Sequence, residues 1–286
     1  MVVVEPFRGI TYNKEKVGEL DKVMSPPYDI ISPEMQEELY KRHEYNVVRL
    51  ILGKIYPDDD ENNNRYTRAK RDFENWLEKG ILVESDKPAI YPYRIDYEYD
   101  GKKTFNGFFI LLKLDHDYKE VKAHERTLSK PKEDRLNLMR ATKANLEPIE
   151  LLYMDERNEI QEKIDKNLGE PEIDVIGYDG FRHRLWKIED EDTIGFIQEK
   201  LKNEILYIAD GHHRYQTAID YAKEIGAKEN DPENYIMVIL ANMFDEGLTI
   251  LPTHRLIKKD IDLGELIEKC KEYFDVEEIQ INRDLS

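Results

Sequence analysis

A single cysteine, Cys270, leaves this chain without the material for an internal disulfide or a cysteine-based zinc knuckle, and it fits a reducing compartment. No apolar run approaches the roughly 18 residues that a membrane helix needs. The start, Met-Val-Val-Val-Glu5, has neither the basic residues nor the cleavage pattern of a signal peptide. The expectation is a cytoplasmic protein with no membrane partner. Positive charge is also scarce: 43 Lys and Arg stand against 61 Asp and Glu, a formal net charge of −18. That balance argues against a protein that coats nucleic acid, because phosphate-driven affinity needs a surplus of cations. P-loop, Gly-x-Gly-x-x-Gly and His-Glu-x-x-His motifs are all absent, so any phosphate chemistry uses another scaffold. There is no repeat of solenoid or propeller period.

What remains is ample for a core. The 286 residues are 40% apolar, with 18 Tyr and 9 Phe, which excludes intrinsic disorder although 36% of the chain is charged. The richness in Lys and Glu at the expense of Gln resembles heat-adapted proteins. Tyr66, Ala69, Phe73, Trp76 and Leu77 recur at helical spacing, predicting a helix from about Arg65 to Lys79 that Gly80 stops. The preceding Pro57 to Asn64 has nothing apolar to bury and reads as an exposed, solvated loop.

Two β-rich runs, Ala89 to Tyr99 and Thr104 to Leu114, flank Asp100-Gly101, the signature of a two-residue hairpin turn. A second hairpin is expected about Asp179-Gly180, between Ile173 to Tyr178 and Phe181 to Ile188. Helices are expected at Asp155 to Leu168, after Gly211 to about Ile225, and at Leu263 to Phe274. Strands are expected near Leu146 to Tyr153, Glu204 to Ala209, Tyr235 to Ala241, Leu248 to Ile257 and Val276 to Ile281. Alternation in His43 to Leu50 also reads chiefly as strand. Hairpins mixed with crossover helices give an α+β fold with mixed sheets. Its lobes are expected at 1–120 and 121–286, or as one continuous unit.

Three stretches carry chemistry. In the first, an apolar strand runs into Asp210-Gly211-His212-His213-Arg214 and then a helix. Gly211 lets backbone approach a ligand, and the N–H groups at the helix start suit an anion. Arg214 could grip a phosphate, His212 and His213 could move protons, and Asp210 could orient a histidine or hold a metal ion. The competing reading has Asp210 merely capping the helix and the histidines in solvent, which leaves four of the five residues without a role. Arg214 itself is expected at a surface position with little weight in stability.

The second stretch, Lys122 to Lys143, holds seven basic and three acidic residues, a positive island in an acidic chain. Like charges held together favour a bound anion. Its candidates are His124 and Glu125 for proton transfer, Thr127 or Ser129 for a phosphate hydrogen bond, and Arg126, Lys132 and Arg135 for charge. A multiply charged ligand needs more than Arg214, so the two stretches are expected to converge. The third, Met24 to Ile30, is stiffened by Pro26 and Pro27 and either presents Tyr28 and Asp29 to a pocket or packs Tyr28 in the core while Asp29 closes a turn. Thr253-His254-Arg255 is a further basic candidate.

Pro26-Pro27-Tyr28-Asp29, Asn46-Val47-Val48-Arg49, His124-Glu125-Arg126-Thr127 with Pro131, and Asp210 through Ala218 together resemble the family known as domain of unknown function 1015. The resemblance spans almost the whole chain, and the members of that family run beyond the point at which this sequence stops. More distantly, Gly211 and Arg214 are similar to the phosphate-binding turn of the ParB and sulfiredoxin superfamily, and Asp210 with the two histidines resembles its free-serine kinase branch. His212 stands where sulfiredoxin places cysteine, which argues against sulfinic-acid repair. The resemblance implies a ParB/sulfiredoxin-like core, Mg2+ and a nucleotide (ATP, ADP or CTP), with a small hydroxyl-bearing acceptor such as serine as partner. Asp29 and Glu125 are its candidate carboxylates. Two functions stand open: a phosphotransferase or nucleotide hydrolase, and a non-catalytic nucleotide-sensing or DNA-associated regulator.

Overall fold

The computed structural model describes residues 1–125, 129–251 and 258–277, the side chains of 129–131 excepted. Strands β1 (Val4–Glu5) and β2 (Ile10–Tyr12) lead into helices α1 (Lys14–Val17), α2 (Leu20–Val23), α3 (Pro33–Arg42), α4 (Val48–Ile51) and α5 (Arg65–Glu78). Then come β3 (Leu82–Glu84), β4 (Tyr91–Glu98), β5 (Lys102–Lys113), β6 (Val121–Lys122), α6 (Ser129–Thr142), β7 (Ile149–Tyr153) and α7 (Glu159–Asp165). The run continues through β8 (Ile173–Ile176), β9 (Arg182–Leu185), α8 (Glu191–Leu201), β10 (Leu206–Asp210), α9 (His212–Glu224), β11 (Tyr235–Asn242) and α10 (Leu263–Cys270). This is the α+β architecture expected: one large mixed sheet in the order β6-β10-β7-β11-β5-β4-β9-β8 with β1 beside β5, and a small β2-β3 pair.

Period-two alternation builds the main core. Phe108, Ile110 and Leu112 of β5 pair with Leu240, Val238 and Ile236 of β11, which continue to Leu151 and Ile149 of β7, so one face of the sheet is wholly apolar. On that face pack Ile160 and Ile164 of α7, Ile194, Ile197 and Leu201 of α8, and Tyr215, Ala218, Ile219 and Ala222 of α9. A second, smaller cluster joins Val17, Leu20, Val23, Leu50, Trp76, Ile81 and Leu82 among the first helices. Strands from both sides of residue 120 share the large sheet, and residues 1–248 form one unit. Residues 249–286 form another, in which α10 is capped by Asp262.

Asp100 and Gly101 both take positive φ, 49° and 101°, as the hairpin turn requires. Two expectations change and a third is qualified. His43 to Leu50 is not a strand: Asn46, fully buried, accepts from Val48 N–H and donates to the carbonyls of Lys22 and Met24, which starts the short α4 instead. The Pro57 to Asn64 loop is largely exposed as expected, but it is not without an anchor: Asp59 pairs with Arg68 at 2.6 Å and Asp60 accepts from the N–H groups of Asn62 and Asn63. Among the described residues of the two last expected strands, 248–251 and 276–277 are not strand, while 252–257, with Thr253-His254-Arg255, and 278–281 lie outside the described residues. Among the described residues no helix is long and apolar enough to cross a membrane.

Candidate functional site

Strand β10 buries Leu206 and Ile208, then loses its register. The shift between Ile208 and Asp210 is a bulge, and it brings Asp210 opposite Glu150 of β7. Gly211 follows at φ 92°, in the left-handed region, and is the N-cap of α9 without any side-chain cap bond. Asp210 therefore does not cap the helix. Its carboxylate instead accepts from the Arg214 guanidinium, one helical turn on, and the same guanidinium donates to the Pro148 carbonyl. A Cβ at position 211 would stand 3.1 Å from Arg214 Nε, so glycine is what lets this arginine lie against the turn. Arg214 is only 13% exposed, which corrects the expected surface position: its removal strips partners from Asp210 and Pro148 as well as charge from the turn.

The two histidines diverge. His212 is buried, and the backbone N–H of His124 donates to its Nε2 at 3.3 Å, which leaves the ring proton on Nδ1, 3.8 Å from a Glu125 carboxylate oxygen. The His124 and His212 rings meet edge to face at 4.4 Å, with His124 exposed. Burial, reinforced by His124, pushes the His212 pKa below its ordinary value. His213 is partly exposed and has interactions of its own.

This meeting comes from β6 and β10, which pair in parallel, Val121 with Leu206 and Lys122 with Tyr207, so that residues 123–125 and 211–214 leave the sheet at the same end. The positive stretch then packs along α9. The Lys132 carbonyl accepts from Thr217 at 3.5 Å, and the Lys132 ammonium faces Asp220 at 3.7 Å, well down the helix from the turn. Arg126 and Thr127 lie outside the described residues.

Arg135 is the most elaborately held cation. It is 6% exposed, bonds Glu147 at 2.9 Å, Asp134 at 2.6 Å and the Ile51 carbonyl at 2.9 Å, and lies 3.8 Å over the Tyr28 ring. The Tyr28 N–H donates to the other Glu147 oxygen at 3.2 Å, so the proline-stiffened loop is tied to this network. Asp134 reaches on to Arg65 and to the Tyr66 hydroxyl. Burial opposes the charge of Asp134, yet Arg135, Tyr66 and Arg65 together hold its pKa below the ordinary value. Glu147 is the reverse: burial raises it, and Arg135 and Arg214 offset this only in part.

Arg135, Glu147, Arg214 and Thr217, together with Leu138, Met139, Leu146 and Ile236, line a cavity of about 40 Å³. By volume it holds a few water molecules or one small group. The two basic stretches thus converge, through Arg135 beside Arg214 and His124 beside His212.

Sequence reasoning missed Glu147 and Glu150. Glu150 did carry a signal, a carboxylate inside the otherwise apolar run Ile149 to Tyr153. Burial, and then Asp210, raise its pKa. Among the described residues, no group of three or more His, Cys, Asp and Glu side chains is placed to hold a metal. Asp210, already on Arg214, could offer a magnesium ion one protein ligand, with phosphate and water as the remainder.

No curated protein and no solved structure matches this chain. A family model does, over residues 4–284, a span that takes in the Tyr28 loop, the Arg135 network and the β10–α9 turn, and it is on this match that the chain belongs to the protein family of unknown function DUF1015.

Proposed function

We propose that the β10–α9 turn binds the phosphate of a nucleotide and that the protein transfers or hydrolyses it. The observation that carries this reading is the turn itself: a left-handed glycine, which has no side chain to cap the helix it opens, with Arg214 laid against it. Around it stand groups suited to phosphoryl transfer, which depends on positioning and charge stabilisation more than on covalent help. Arg214 neutralises the phosphate, Arg135 and Glu147 hold Arg214 in a fixed electrostatic setting, and the exposed His124 imidazole is free to exchange a proton with the ligand. The buried His212 orients His124 rather than reacting, since its Nε2 already accepts from the His124 backbone. Magnesium, carried by the phosphates, would neutralise their charge during transfer. The likeness of the turn to the ParB and sulfiredoxin superfamily, and within it to the free-serine kinases, supports the same reading and suggests a small alcohol as acceptor.

Calorimetry with ATP, ADP and CTP, with and without Mg2+, tests it, followed by turnover in the presence of small hydroxyl-bearing acceptors including serine. The expected outcome is binding with Kd below about 1 mM and an affinity loss of at least about tenfold in Gly211→Ala, whose new Cβ strains the turn and displaces Arg214. Failure of all three nucleotides to bind, or an unchanged affinity in Gly211→Ala, refutes the phosphate turn. Binding without turnover selects the nucleotide-sensing regulator instead.

A further inference from the structure

We infer that Glu150 is the general base of this site, the group that takes the proton from the attacking hydroxyl. The inference rests on the phosphoryl-transfer reading above. Glu150 sits on β7 between β10 and β11, with Asp210 and Ile239 as its register partners, so its carboxylate shares a face with Asp210 at the strand end from which the turn departs. Directly opposed residues of an antiparallel pair have Cβ atoms about 4.5–5.5 Å apart. Arg214 is close enough to act on Glu150 electrostatically.

What sets Glu150 apart is its lack of a partner. The other carboxylates around the turn are engaged: Asp210 by Arg214, Glu147 by Arg135 and by the Tyr28 N–H, and Glu125 lies beside His212. The Glu150 side chain is half-buried and, among the described residues, has no hydrogen bond and no ion pair. A half-buried carboxylate without a donor, opposite Asp210 and within electrostatic reach of Arg214, leaves a place for an external O–H donor. That donor would be water or the alcohol of a small acceptor.

In the step itself, the acceptor O–H bond breaks and its proton passes to a Glu150 oxygen. The freed oxygen lone pair forms the new bond to the terminal phosphorus of a nucleoside triphosphate. The bond from that phosphorus to the bridging oxygen breaks, and its electron pair leaves with the nucleoside diphosphate. Glu150 afterwards releases the proton to solvent, so no oxidant or reductant is required.

Glu150→Gln keeps the shape of the side chain and removes the base. The expected result is an ATP Kd within about threefold of wild type while kcat for phosphate release or transfer falls at least about a hundredfold. Glu150→Ala should be equally slow and regain rate on addition of formate, a small carboxylate that a merely structural role would not need. Inorganic phosphate release without acceptor identifies water as the attacking group, and a phosphorylated product identifies the alcohol; either supports the base. Glu150→Gln turning over within about threefold of wild type, or a slow Glu150→Ala that formate leaves unrescued, overturns the inference while the phosphate reading stands. A wild-type protein that binds no nucleotide overturns both.

Discussion

Two buried histidines, one on strand β9 and one opening helix α9 after β10, stand toward opposite ends of the large sheet and are held in opposite ways. His183 of β9 is 8% exposed with both ring nitrogens occupied: the Tyr93 hydroxyl lies 2.5 Å from Nδ1, and Asp179 lies 3.0 Å from Nε2. Burial raises the Tyr93 phenol pKa, so the hydroxyl stays protonated and donates. This trio clasps the β8–β9 hairpin to β4, and nothing in it is left for a ligand. His212 is 4% exposed, yet it has one long hydrogen bond from a backbone N–H and a carboxylate at 3.8 Å. A fully satisfied polar group specifies structure; a buried ring held this loosely, at the start of α9 and against the exposed His124 ring, has room to shift with its neighbour.

The contrast can be broken most forcefully at its support. Arg135→Ala leaves Glu147 and Asp134 buried without their shared cation and uncovers Tyr28, at an expected cost of about 3–5 kcal/mol. Urea unfolding would measure it, and a loss below about 1 kcal/mol would show that the network is not what holds the turn. Next in size, His183→Leu strands the Tyr93 hydroxyl and should cost about 1–3 kcal/mol. Nucleotide affinity should be untouched there, and a matching loss of affinity would erase the distinction between the two histidines.

The smallest effect sharpens the comparison instead. His212 is held below its ordinary pKa of 6.5, so below that pH the unfolded chain binds a proton that the folded chain resists, and stability falls on acidification. Replacing it by His212→Gln removes that penalty. Thermal melts from about pH 7 down to about pH 5 should show the melting temperature of the variant falling less than that of wild type, and parallel curves would mean that His212 titrates normally.

Much of this was legible in the chain. Asp100-Gly101 declared its hairpin because few residues accept positive φ twice in succession, and the stripe from Tyr215 to Ala222 declared α9. Helix α8 went unseen although Asp190 caps it and Ile194, Ile197 and Leu201 are buried along it, and α4 was hidden because its cause is the Asn46 side chain bonding the distant Lys22 and Met24 carbonyls. At the site, residue types were readable and pairings were not. That Arg214 answers Asp210 and Pro148, that Arg135 answers Glu147, and that Glu150 answers no side chain depends on which strands are neighbours, and local pattern carries no record of that order.

The edge strand β6 pairs with β10 through only two residues, yet it brings His124 against His212 across 88 positions of sequence. The ladder itself is short, so the hold on this edge comes mostly from Val121, which is buried in the main core. A ligand that touched both His124 and the start of α9 would join the two sides of this contact and act as a staple across it.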